Sequence, residues 1–508
     1  MLSKCSKLFR VVRRQEHRVL WIAILAVADL LCTSMAYSQS TSSGIPSQQH
    51  RTRVDNDYRV VIDSDGVSSE SEQISLQLDD MFKRIAHQGR HRIVLFIHGG
   101  LVSLDKANKT AENLRHMITD DDSTAYPIFL NWEAGLTSSY GRHLIYERNG
   151  ISYKGTPAAW AAFVITPFVF VSDLGRGIAN HAMNTMLNFG KVLENNDGLY
   201  DQRPRSFVTK NKYLETLRSF SADPNKSQAA DNFFRAGLKY EPKPNRPSIN
   251  LYLGPDITEI DVGQTVLGSA TIPLQIVTEP ALDTFGTSAW KNMVRRTRTM
   301  FFPAGNFITV SNQQSPTTLQ YGAAYQFFDH LDNFLKMHRD YYVDIIGHSM
   351  GAIVVNEALR NFPDLRIRNL VYMAAACSIR DFLAVGGPYL KTHDVQFYNL
   401  CLHPRKEIDE TNAEGIPVRG SLLTWIDEFF QTPESFGDRT LGSFENAVIA
   451  YQLLPKTPRV HLKAFGISTR ERSAGPQKQG DFPNFAFWRS EYWSTTVPLN
   501  KSYPQILP

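Results

Sequence analysis

Residues Tyr341–Leu359 read YYVDIIGHSMGAIVVNEAL, and few backbone courses satisfy them. The apolar run before Gly347 suits a strand covered on both faces. Ala352-Ile353-Val354-Val355 after Gly351 suits a buried helix. Between them stands Gly347-His348-Ser349-Met350-Gly351, the G-x-S-x-G pattern of a nucleophile elbow. A serine at such a strand-to-helix corner takes a strained backbone conformation. Side chains at the two glycines would collide with neighbouring elements. The helix then aims its free N–H groups, that of Met350 among them, at the point where an oxyanion would form. Taken without its flanks, the same pentapeptide also fits a tight turn with a buried hydroxyl.

An earlier stretch fits the same chemistry. FIHGGLVS, residues 96–103, ends an apolar strand in His98-Gly99-Gly100. A loop of this kind can offer a second oxyanion donor, the N–H of Gly100 or of Leu101. After it, DKANKTAENLRHMI reads as a helix and YPIFLNWEAG as another buried strand, which together make a βαβ unit. From Gly135 to Gln320 the rhythm breaks. This stretch holds PAAWAAFVITPFVFV at 157–171, too short for a bilayer and interrupted by Pro167, then Pro-rich polar text. Regular elements return with the helical spacing of YGAAYQFFDHLDNFLKMH. The strands RNLVYMAAAC, DVQFYNLCL and PRVHLKAFG follow the elbow.

With HGGL, GTSAWKNMVRRT, GHSMGA, FYNLCLHP and GDFPNFAFWRSEYW, the chain resembles the α/β-hydrolase superfamily from about Ile93 to Trp493. Within it, the chain is similar to bacterial hydrolases of poorly defined substrate. The resemblance implies an α/β fold with a mostly parallel eight-stranded sheet flanked by helices. Residues 135–320 would form a cap or lid. A triad would run in the order serine, acid, histidine. The acid should follow DVQFYNLCL, where Glu407 stands, with Asp409 two residues on and Asp427 further along.

The histidine should lie after PRVHLKAFG, but that loop has none. Where the resembling group carries His-Gly-Asp-Phe, this chain has Gln479-Gly480-Asp481-Phe482. A carboxamide cannot accept a proton near neutral pH. Downstream of Ser349 only His393, His403 and His461 remain. His393 precedes its strand, and His461 lies within one. His403 follows FYNLCL at the correct end and is the rescue candidate. His98 and His348 read as residues that shape the site.

Two functions follow. One is a serine hydrolase cleaving a carboxylic ester, lipid-like acyl esters included, through an acyl-enzyme on Ser349, weakened by the lost histidine. The other is a non-catalytic binding protein that keeps the hydrolase pocket. Either way the partner is a small molecule or lipid-like ester, and the apolar 157–171 segment leaves contact with a membrane surface open.

The rest of the chain sets bounds. Its net charge of +4 over 508 residues is concentrated before residue 20, which argues against nucleic acid as a partner. That basic start, the apolar 19–31 and small residues at Ser34 and Ala36 read as an export signal spanning 1–36, cut after Ala36; a retained anchor is the alternative. Residues 37–90 read as spacer and N-terminal extension, and 91–508 as the hydrolase-like domain. The mature chain would hold only Cys377 and Cys401, as buried thiols or one bridge. No phosphate-loop, dinucleotide or zinc motif occurs, so neither a cofactor nor a metal is indicated. Oligomeric state is open.

Overall fold

Four strands of the chain are apolar almost without alternation, and such runs need cover on both faces. These are β3 (Arg92–Ile97), β4 (Ala125–Trp132), β8 (Tyr342–His348) and β10 (Gln396–Leu402). All eight residues of β4 are buried, and only Tyr342 of β8 is not. Among the described residues the chain meets the requirement with one nine-stranded sheet. Its other members are β1 (Arg53–Asp55), β2 (Arg59–Ile62), β7 (Asn250–Leu253), β9 (Ile367–Met373) and β11 (Val460–Phe465). The order is β1-β2-β4-β3-β8-β9-β10-β11-β7. Only the β1/β2 pair is antiparallel. A separate ribbon pairs β5 (Glu147–Arg148) with β6 (Ile151–Ser152).

The computed structural model describes residues 52–62, 71–145, 147–148, 151–152, 166, 169, 172–173, 250–253, 272–302, 321–402, 406–407, 410, 421–431, 433, 435–450, 459–465 and 475–494. The export-signal residues 1–36 and nearly all of 157–171 lie outside these. Among the described residues no helix is long and apolar enough to cross a membrane.

Helices supply the covering layers. They are α1 (Ser71–Gln88), α2 (Leu104–Asp121), α3 (Leu136–Ile145), α4 (Ile272–Thr299), α5 (Ala323–Met337), α6 (Gly351–Asn361) and α7 (Ile379–Thr392). Short ones follow: α8 (Leu422–Trp425), continuing as a π turn over Ile426–Phe430, then α9 (Phe444–Ala450) and α10 (Ser490–Trp493). Ser103 caps α2 and Ser378 caps α7, each hydroxyl accepting a first-turn N–H. α1 packs on α5, and both β2 and α1 contribute to the main core.

One feature departs from the sequence reading, and the open choice for the two cysteines is resolved toward free thiols. The sheet has nine strands where eight were implied, and the ninth, β7, comes from inside the insertion. It pairs in parallel with β11 and is the last described strand on that side of the sheet. Cys377 and Cys401 are buried and free, not bridged.

Because β3, β8, β9, β10 and β11 run parallel, their carboxyl ends share one edge. The elbow leaves β8 between β3 and β9. Open α/β sheets receive ligands at this edge.

Candidate functional site

Ser349 sits at the β8–α6 corner with φ of +50°, in the left-handed region that a serine rarely occupies. Backbone bonds hold it there. Its N–H donates to the Met373 carbonyl at 2.8 Å, and its own carbonyl accepts from Ala376 N at 3.0 Å and Ala352 N at 3.1 Å. Gly351 allows the close fit, since a methyl there would lie 2.9 Å from the Ile97 carbonyl carbon and 3.1 Å from the His98 oxygen. A methyl on Gly347 would lie 3.0 Å from Ala352 N.

The loop after β3 lies directly on this corner. A methyl on Gly99 would come within 2.9 Å of Ser349 Cβ, and one on Gly100 within 2.9 Å of Met350 Cγ. Leu101 is also left-handed, with φ of +61°. Ser349 and Met350 are therefore packed against Gly99 and Gly100, with Leu101 the next residue along the loop. Met293 of α4 flanks Gly100 as well. Asn292 Nδ2 and Arg296 Nη1 fasten α4 to α3 through the Ser139 carbonyl, at 3.2 Å, and the Ser139 hydroxyl, at 3.3 Å. The GTSAWKNMVRRT motif thus belongs to a helix roofing the corner, and Ser349 is only 2 % exposed.

The side chain that meets the Ser349 hydroxyl is that of Gln479. Gln479 opens a 3-10 turn, Gln479–Asn484, and is buried. Its Oε1 accepts the N–H of Leu423 at 3.2 Å. That contact fixes the amide's orientation, because a backbone N–H can face only the carbonyl end. The Nε2 end then donates to Ser349 Oγ at 3.2 Å. The backbone is equally tied: Gln479 N donates to Glu410 Oε2 at 3.0 Å, and the Gln479 carbonyl accepts from His348 Nε2 at 3.0 Å.

Neither nearby imidazole is bonded to the serine hydroxyl. His348 spends its Nε2 proton on Gln479. Burial pushes its pKa down to about 4. His98 stacks on Trp132, with ring centroids 4.0 Å apart. Its Nε2 accepts the Trp132 N–H at 3.1 Å, so Nδ1 carries the proton and donates to the Gly99 carbonyl at 2.7 Å. Burial lowers this ring to about 4 too. Both rings are neutral props for the glycine loop and the 479 turn. His461 stacks on Tyr398, and His393 caps the C-terminus of α7. His403 and Asp409 lie outside the described residues.

Two of the three acid candidates, Glu407 and Asp427, lie among the described residues. Glu407 is buried, but its Oε2 accepts from Ser443 Oγ at 3.0 Å and no hydrogen bond joins it to Gln479. Asp427 takes the Thr440 N–H at 2.7 Å, the Thr440 hydroxyl at 3.2 Å and Asn446 Nδ2 at 2.7 Å, a bracket within the covering loops. The carboxylate that does reach the 479 turn is Glu410, which sequence reasoning passed over within HPRKEIDE. Burial, helped by Asp481, raises it to about 7 against the bond from Gln479 N and the charge of Lys478. Only the folded path of the 479 turn singles it out. No cluster of three metal-ligating side chains occurs among the described residues.

Comparison with protein-family models, with curated proteins and with solved structures returns no match.

Proposed function

We propose that this chain is a non-catalytic binding protein built on an α/β-hydrolase fold, receiving a small or lipid-like carbonyl compound at the Ser349 corner without cleaving it. One observation carries the reading: the group facing Ser349 Oγ is the Nε2 end of Gln479, a donor with no basic lone pair. A nucleophilic serine needs a partner that accepts its proton. The two imidazoles that the described residues bring to the corner, His98 and His348, are committed elsewhere. Support for the fold comes from the mostly parallel sheet, the strand–elbow–helix corner and the glycine loop beside it. In this reading the insertion acts as a cap, with α4 as its innermost part. Residues 1–36 send the chain out of the cytoplasm, to the periplasm or medium.

Ester hydrolysis is the second reading, and the left-handed Ser349 favours it, since such strain is a usual mark of a working nucleophile. Ser349 Oγ would bond to the acyl carbon, the alcohol would leave, and water would release the acid. Without a base this route keeps only the modest catalysis of an oxyanion site and binding.

Turnover of p-nitrophenyl butyrate by the purified chain separates the two. We expect p-nitrophenol release no faster than from the Ser349→Ala variant, together with a raised melting temperature in the presence of the ester. Release that exceeds Ser349→Ala reproducibly would overturn the binding reading.

A further inference from the structure

We infer that Gln479 is a positioning residue, fixed by the Leu423 N–H so that it holds the Ser349 hydroxyl as a donor toward bound ligand, and that a carboxylate, not an imidazole, is the base this corner would accept. The inference deepens the binding-protein reading and rests on it.

Leu423 N–H points at Gln479 Oε1, and Nε2 points at Ser349 Oγ. Whatever stands at 479 must accept on one side. A lone pair of Ser349 Oγ is taken by the amide, so the hydroxyl proton turns away from Gln479. Met350, opening α6, and the 99–101 loop pack against the same serine. A ligand therefore meets donors here, and an acceptor atom, such as a carbonyl or carboxylate oxygen, is the part that fits.

Now consider a histidine at this position. A triad histidine needs a proton on Nδ1 and a bare Nε2 toward serine. A carboxylate acceptor behind Nδ1 sets that tautomer. Here the group behind is a backbone N–H. It would favour a bare Nδ1 and put the proton on Nε2, the wrong form for a base. Glu407 takes the Ser443 hydroxyl on Oε2, and no hydrogen bond joins it to Gln479. Gln479→His therefore does not rebuild a triad.

Gln479→Glu behaves differently. One carboxylate oxygen keeps the Leu423 N–H, and the other replaces Nε2 against Ser349 Oγ. Glu410 at the 479 backbone N–H and the apolar cover hold such a group above the usual carboxylate range. His348 at the 479 carbonyl is neutral, while Asp481 and Lys478 on the same turn oppose one another. Toward a fluorophosphonate, Ser349 Oγ would bond to phosphorus, fluoride would leave, and the proton would pass to the introduced carboxylate.

The test is labelling of the full chain with a fluorophosphonate, located by mass spectrometry across pH. We expect wild type and Gln479→His to label slowly and alike. Gln479→Glu should label Ser349 at least about 10²-fold faster, with a rate that rises through the titration of the new carboxylate. Rapid labelling in Gln479→His with none in Gln479→Glu overturns the inference and leaves the binding reading standing. Rapid labelling of wild type overturns the binding reading itself. A second measurement needs no variant at 479. In ¹⁵N-glutamine-labelled protein, one exchange-protected side-chain amide should shift in Ser349→Ala. If no amide responds, the contact that carries the inference is absent.

Discussion

A methyl group on Gly351 would press into the carbonyl of Ile97, and neither backbone can yield without moving β3 or α6. Gly480, one residue past Gln479, has nothing within 4 Å of such a methyl. Gly351→Ala should therefore cost about 2–3 kcal/mol, read as a lower urea midpoint at unchanged slope. Gly480→Ala should stay within about 0.5 kcal/mol of wild type. Equal effects at the two sites would mean that the elbow does not pack as described. The contrast also marks what single residues revealed. Ser349 and its glycines were legible, because the geometry of a strand-to-helix corner dictates those residue types. The partners of the carboxylates were not. Glu407 and Asp427 look alike on paper, yet one bonds Ser443, the other brackets Thr440 and Asn446, and the unremarked Glu410 holds the 479 turn. Which carboxylate meets which turn depends on how distant loops close over the sheet edge.

Elements were legible in proportion to how far their own residues decide them. The apolar runs of β3, β4, β8 and β10 announce buried parallel strands whatever surrounds them. β7, with four residues after Pro-rich text, is a strand because β11 offers it an open edge, which no local pattern records. The C-terminal α10 is fastened in a comparable non-local way. Lys463 of β11, fully buried, donates to the carbonyls of Tyr492 at 2.8 Å and Ser494 at 3.1 Å. Burial pushes its ammonium down to about 7, so the clasp carries a desolvation cost that offsets much of its bonding. Lys463→Met removes bonds and cost together. Global stability should change by no more than about 1 kcal/mol, while amides of Ser490–Ser494 exchange hydrogen about tenfold faster. Unchanged exchange in that segment would show that something else holds α10.

At the scale of the whole molecule, buried titratable groups set how stability varies with pH. His98 and His348 stay neutral in the fold down to about 4, against an ordinary value of 6.5. Between those values the unfolded chain binds more protons, so stability falls as pH drops through the window. Each ring stands to lose up to about 3 kcal/mol by its lower end. His461, half-buried and likewise lowered to about 4, adds less. Glu410 works in the opposite sense. Raised to about 7 from 4.5, it binds its proton more tightly in the fold, so its burden is relieved as pH falls from 7 toward 4.5. Asp344, raised by burial, acts in the same sense as Glu410, while the lowered Glu112, Asp121 and Asp122 act with the two fully buried imidazoles and the third partly buried one, and acid should destabilise on balance. Above neutral the sign is set by Lys463. It is neutral in the fold beyond about 7, whereas the unfolded ammonium persists to 10.5, so stability rises with pH across that interval. Tyr126, pushed up to about 12 by burial, begins to oppose this near its ordinary value of 10. The urea midpoint should therefore be lowest at about pH 5, higher at about pH 7 and highest near about pH 8.5, at constant ionic strength. A midpoint at pH 5 equal to or above that at pH 7 would mean that His98 and His348 are not sealed beneath the glycine loop, and the neutral props assigned to the corner would fail with it.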